Sequence, residues 1–183
     1  MMSFWMTKQI TRAAVRRATL ADADAIARVH VDSWQAAYLG LIPVPVLNDL
    51  SVDRRALHWR RILGGHTTPG SRTLVLVGDD AVVGFASVGP TRDEDDHPRA
   101  VGEVYALYLS PPAWGHGLGG QLFDAALDDL EGRRFVTVTV WVLEGNARAR
   151  RFYELHSFDL DGARRPVPVG ATTLPEIRYR RRL

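Results

Sequence analysis

The chain of 183 residues contains no cysteine. That excludes a disulfide framework, a thiolate-ligated zinc or iron–sulfur centre, and a thiol nucleophile. Lysine is almost absent: of 23 basic residues only Lys8 is lysine, and the rest are arginine. Arginine forks suit phosphates and carboxylates, although a base bias that also favours Ala, Val and Gly is the simpler cause. Excess charge of one sign is missing too. The 21 acidic residues bring the formal net charge to +2, far from the lopsided balance of a general nucleic-acid binder. No uninterrupted apolar run nears the roughly 20 residues of a membrane span. Residues 1–9 (MMSFWMTKQ) are too short and too mixed for a signal-peptide core. His58, His66 and His97 show no ligand spacing, so no metal is expected. These absences point to a cytoplasmic protein without nucleic-acid or membrane partners.

What is present suits one packed domain. Hydrophobic residues make up 46% of the chain, enough for a substantial core. Residues 1–12 are expected to form a tail and 13–183 a single domain. A short strand over 13–18 leads into Thr19 and Asp22, spaced as a capping box. Ile26, Val29, His30 and Trp34 then recur at helical spacing to about Ala37. A second helix follows Ser51 and stops at Gly64 and Gly65. Strands are expected over 73–77 and 81–88, joined by a Gly78-Asp79-Asp80 turn, and over 101–109 after an acidic loop at 89–99. A helix over 117–130, a strand over 135–142, a helix over 146–155 and closing strands at 158–160 and 176–182 complete the chain. Neighbouring strands without intervening helices make this a mixed α/β domain of the α+β type, with a mostly antiparallel sheet flanked by helices. Ile177 and Tyr179 alternate with arginines, so the last strand is expected to keep one wet face rather than form a nucleic-acid patch.

The most informative stretch is PPAWGHGLGGQ, residues 111–121, between a strand and a helix. Gly115, Gly117 and Gly120 fit G-x-G-x-x-G, a weak signal alone. Glycines permit φ > 0 and a close backbone approach. The amides of His116 to Gly120 can converge on one point, where the helix adds its positive end. The expected ligand is a pyrophosphate or similar anion; small residues packing a helix onto a sheet are the plainer alternative. A dinucleotide fold would place the glycines straight after the first strand of a βαβ unit, which does not hold here. The other glycine pair, Gly65 to Gly70, lacks the lysine of a Walker loop.

Three linked pieces resemble the GNAT superfamily of N-acetyltransferases. They are EVYALYL at 103–109, the turn ending Gly117-Leu118-Gly119, and NARARRFY at 146–153. WQAAYLG at 34–40 is similar to a recurring variant of the same family. The turn departs from the family's Gln/Arg-x-x-Gly-x-Gly/Ala at its first position, where Trp114 stands, and Ser157 replaces a common glycine after the tyrosine-bearing helix. The resemblance covers residues 13–183. It implies an acyl-CoA transferase, most often using acetyl-CoA, with two central parallel strands splayed apart around Leu109 and Trp141. By the same resemblance, the backbones of Leu107, Tyr108 and Leu109 hold the pantetheine arm. The amides of Trp114, Gly115, His116, Gly117, Leu118, Gly119 and Gly120 hold the pyrophosphate, and Asn146 hydrogen-bonds the pantetheine. A homodimer is common among similar proteins.

The implied reaction is attack of an amine on a thioester. A free alkylamine, with a pKa near about 10, is mostly protonated at neutral pH and needs a base. Glu103 lies mid-strand in an apolar run and matches a common base position of the family; burial there would make it a better proton acceptor, and a solvent-facing glutamate is the alternative. Tyr153 stands at the family's Phe-Tyr position, where its hydroxyl can donate to the leaving sulfur; a core tyrosine is the alternative. Trp34 and Tyr38 are weaker candidates for lining the acceptor pocket. The expected function is an acyl-CoA-dependent N-acyltransferase acting on a small amine, a protein N-terminus or a lysine. An acyl-CoA-binding sensor without catalysis is the runner-up, and a nucleotide-binding oxidoreductase a distant third.

Overall fold

Runs rich in β-branched residues form the strands of the protein, for which a computed structural model describes residues 10–183. The strands are β1 (Ala13–Arg17), β2 (Arg72–Gly78), β3 (Ala81–Pro90), β4 (Val101–Leu109), β5 (Thr137–Leu143), β6 (Asp159–Val169) and β7 (Thr172–Arg182). They make one seven-stranded sheet in the order β1-β2-β3-β4-β5-β7-β6. Every neighbouring pair is antiparallel except β4 and β5. The helices are α1 (Ala23–Ala37), α2 (Val44–Asn48), α3 (Val52–Leu63), α4 (Leu118–Gly132) and α5 (Ala147–Leu155).

The sheet is covered on both faces. Successive side chains of β2 alternate across it: Leu74 and Leu76 pack with Leu122, Phe123 and Leu130 of α4, while Val75 packs with Ile26 of α1 and Trp59 of α3. A strand buried on both sides reads as an unbroken apolar run rather than an alternating one. The capping box before α1 forms as expected, with the Thr19 amide donating to Asp22 Oδ2 at 2.7 Å.

Three features differ from the sequence expectations. The last two strands form one long hairpin, where the sequence suggested only 158–160 and 176–182. Pro166, Pro168 and Pro175 hide it, yet Pro166 and Pro168 lie in the edge strand β6, and Pro175 lies in β7 just beyond its pairing with β5, which begins at Glu176. The five-residue α2 was not anticipated. The expected tail falls mostly on residues 1–9, outside the described residues. Thr11 and Arg12 are anchored, both donating amides to Asp79 Oδ1, at 3.2 and 3.1 Å.

The feature that shapes the site is a bulge in β4. Ser87 of β3 faces Ala106 and Val88 faces Val104, so Tyr105 is an extra residue. Such an insertion bends a strand and increases its twist. Tyr105 is locked in place: its hydroxyl donates to the Pro90 carbonyl at 2.5 Å, and the Arg92 guanidinium lies 4.2 Å from its ring centre. Gly89 is required beneath it, because a Cβ there would lie 2.4 Å from the Tyr105 hydroxyl oxygen. On the other side, β4 and β5 pair only from Val101–Thr137 to Val104–Val140. The two strands part where the bulge begins, earlier than the Leu109 and Trp141 expected from the sequence.

Ser157 ends the α5 turn at φ 62°, in the left-handed region normally given to glycine. That conformation costs a residue with a Cβ roughly 1 kcal/mol. Ser157→Gly is therefore expected to stabilise the protein by about 1 kcal/mol in urea unfolding. An unchanged or lower midpoint would show that the Ser157 backbone is not strained.

Candidate active site

A cleft of about 580 Å³ fills the gap between the parted halves of β4 and β5. Its β4 wall is an open backbone edge. The Ser110 amide donates to Val83 O, which makes Tyr108 with Phe85 the next hydrogen-bonded pair of the β3–β4 ladder. By alternation, Leu107 and Leu109 turn their N–H and C=O groups toward the cleft instead. The Leu109 carbonyl already accepts from the Trp114 indole N–H at 2.8 Å. Tyr108 presents its hydroxyl rather than its backbone; that hydroxyl lies 3.2 Å from the hydroxyl of Tyr38.

The glycine turn stands at the cleft's mouth. Gly115 and Gly117 have φ 78° and 75°, and Gly117 is the N-cap of the 15-residue α4 with no side-chain cap. The first amides of that helix have no partner within it, because Gln121 N–H is the first to bond back, to Gly117 O. Trp114, Gly115, Gly117, Gly119 and Gly120 line the cleft. Leu118 buries its side chain in the core, and His116 is exposed outside the lining. Asn146 lines the opposite wall, but its side-chain oxygen caps α5 by accepting from the Ala149 amide at 3.0 Å. Only its NH₂ group remains for a ligand.

Glu103 lies in the cleft wall at 1% exposure, and its carboxylate is not bare. Arg92 donates from its amide at 2.9 Å, from Nε at 3.2 Å and from an end nitrogen at 2.5 Å. Tyr153 also lines the cleft; its hydroxyl makes no hydrogen bond among the described residues. Burial, and after it the neighbouring Tyr108, pushes the Tyr153 phenol well above the usual tyrosine range. Burial does the same to Tyr38 and Tyr108. All three therefore stay neutral and can donate hydrogen bonds. Trp34 stands behind Tyr108 and Tyr38 and lies outside the cleft lining.

Sequence reasoning missed Arg92, Trp141 and the Arg165–Glu176 pair. Arg165 Nε donates to Glu176 at 2.8 Å, and its guanidinium lies 4.1 Å from the Trp141 ring centre. That pair is a cross-strand neighbour and becomes visible only once the β6–β7 register is known. The wet face expected for the last strand is not what forms at Arg178. It is 4% exposed and bonds Asp93 at 3.0 Å, Asp95 at 2.6 Å and Asp161 at 2.6 Å. Its partners Asp93 and Asp95 are in the acidic loop, so the arginine clamps that loop onto β7.

A mixed sheet that parts at its parallel pair, with an open helix N-terminus at the gap, is the arrangement that the resemblance to the GNAT superfamily implies. The sequence pattern of the "Acetyltransferase (GNAT) family" matches residues 27–158. Relatives carry the same label. "Uncharacterized N-acetyltransferase YuaI" of Bacillus subtilis (strain 168) is 36% identical over 148 residues, covering 78% of each chain. An "Uncharacterized N-acetyltransferase" of Archaeoglobus fulgidus is 30% identical over 86% of this chain and 97% of its own. Among solved structures, the PaiA N-acetyltransferase of Thermoplasma acidophilum, in complex with coenzyme A, superposes with a TM-score of 0.71 at 15% identity, over 94% of this chain and 100% of that one. YncA of Salmonella typhimurium, solved with acetyl-CoA, gives 0.67 at 23% identity over 94% and 95%. The chain belongs to the GNAT family of acetyltransferases. No helix among the described residues is long and apolar enough to cross a membrane.

His30 supports this site from behind. Its ring stacks on Tyr108 at 5.2 Å and its Nδ1 accepts from the Trp59 indole at 3.3 Å. Burial, with Arg55 and His58 nearby, lowers its pKa from 6.5 to about 3. The unfolded chain therefore binds this proton first. The stability that neutral His30 contributes is fully present above about pH 6.5 and is lost as pH falls toward about 3. Urea midpoints measured from pH 7 to pH 4 should fall less steeply in His30→Gln than in the parent protein. Equal slopes would show that His30 is not held neutral.

Proposed function

We propose that this protein transfers an acetyl group from acetyl-CoA to a primary amine by direct attack in a ternary complex. The observation that carries the proposal is the open β4 edge facing a cleft whose mouth holds the uncapped N-terminus of α4. A pantetheine arm is an extended chain of amides. It can pair with the Leu107 and Leu109 backbones as an added strand, with the Asn146 NH₂ group as a further donor. The diphosphate then meets the amides of the Trp114–Gly120 turn. The names of the relatives and the coenzyme seen in two similar structures support this reading.

Glu103 takes the proton of the incoming ammonium group, directly or through water. The freed amine nitrogen attacks the thioester carbonyl, and the carbon–sulfur bond breaks as the tetrahedral intermediate collapses. The Tyr153 hydroxyl donates a proton to the departing thiolate and is restored by the second proton that the nitrogen loses after attack. CoA leaves as its thiol, and the one net proton passes from Glu103 to water. With no cysteine in the chain, no cysteinyl acyl-enzyme is available, which favours one direct transfer. Tyr38 and Tyr108 line the acceptor side. The acceptor itself is a small amine or an exposed amine of a protein.

The missing cysteine also simplifies the assay, since CoA thiol release can be followed with a thiol reagent free of protein background. With acetyl-CoA and a panel of amines, Glu103→Gln and Tyr153→Phe are each expected to lower kcat about a hundredfold or more. The pH–rate profile of Glu103→Gln should differ from that of the parent protein. Full kcat in either variant would remove that residue from its role. Binding of acetyl-CoA with no thiol release from any amine would favour a sensor instead. Stabilisation by NAD and not by CoA would favour an oxidoreductase.

A further inference from the structure

Arg148, the second residue of α5, lines the cleft together with the glycine turn, and its side chain reaches the first residue of that turn. Its guanidinium carbon is 3.6 Å from the centre of the Trp114 ring. Trp114 is fixed in turn by its indole N–H on the Leu109 carbonyl at 2.8 Å. Stacking uses the flat face of a guanidinium and leaves its in-plane N–H donors free. No carboxylate or other acceptor among the described residues takes those donors. Other arginines on or near α5 are engaged, Arg150 with Tyr179 at 3.1 Å, Arg164 with Glu144 at 2.5 Å and Arg165 with Glu176, while Arg151 is exposed and lies outside the cleft lining. Partial burial of the Arg148 cation without a counter-charge lowers its pKa, an expense that an anion would offset.

We infer that Arg148, held flat on Trp114, is the cation that binds the diphosphate of the acyl-CoA donor beside the amides of the glycine turn. This rests on the CoA reading above and names the side chain that completes it. The turn supplies N–H groups, and Arg148, stacked on the turn's Trp114, supplies a charged fork beside them, so amides and cation act on one diphosphate. A planar fork on an aromatic platform loses little freedom on binding, which a flexible lysine would not match.

Calorimetric binding of CoA and of 3′-dephospho-CoA to the full-length protein tests this. Arg148→Ala is expected to weaken both ligands by the same factor, about ten- to a hundredfold. Arg148→Lys should fall between the parent and Arg148→Ala. Trp114→Leu, which removes the platform, should also weaken both ligands. Parent-like affinity in Arg148→Ala would overturn the inference, and so would a loss confined to CoA, which would place Arg148 on the 3′-phosphate. If the parent protein binds neither ligand, the CoA reading itself fails, a result distinct from either of these.

Discussion

The architecture turns on one broken pairing. β4 and β5 share four residue pairs and then separate, and the separation coincides with the bulge at Tyr105. A bulge is stable only if its extra residue has somewhere to go. Here the Tyr105 ring lies over Gly89, its hydroxyl bonds the Pro90 carbonyl and Arg92 covers its face. The consequence is a strand whose outer half presents unsatisfied backbone groups to a cleft. An edge of this kind can take an extended chain as an added strand.

The bulge also links binding to chemistry. Arg92, which covers Tyr105, is the same residue that donates three hydrogen bonds to Glu103. The next residue, Asp93, accepts from the Trp141 indole N–H at 2.9 Å and from Arg178 at 3.0 Å. The acidic loop therefore runs from the proposed base across β5 to β7, held there by the ion pairs of buried Arg178. A charged carboxylate at 1% exposure would be untenable alone. Paired and hydrogen-bonded, it keeps a fixed orientation toward the cleft. Around it, the buried tyrosines are held neutral, so the cleft contains proton donors and two carboxylates, Glu103 and Glu176, each paired with an arginine.

Much of the fold was legible in the sequence. The bounds of β4 match the expectation because polar or turn residues flank the apolar run at 101–109. The glycine turn was legible because its four glycines have few structural uses besides a tight, ligand-facing loop; Gly115 and Gly117 do take positive φ. What escaped notice depended on pairings distant in sequence. The β6–β7 hairpin was hidden by prolines that the sheet tolerates because two lie in the edge strand β6 and Pro175 lies beyond the β5–β7 pairing. Which of Leu107, Tyr108 and Leu109 turn their backbones to the cleft follows from the ladder phase beyond the bulge, and no local pattern carries that. The partner of Glu103 was equally hidden, since Arg92 sits in a loop that reads as mere acidic surface.

Backbone pairing between the open β4 edge and the donor is tested most directly by amide hydrogen exchange, followed residue by residue with and without CoA. The Leu107 and Leu109 amides should exchange quickly in the free protein and become strongly protected on CoA binding. The Tyr108 amide, already committed to Phe85, should be slow in both. If CoA binds while Leu107 and Leu109 continue to exchange at their free rates, the parted strands do not serve as the ligand's ladder.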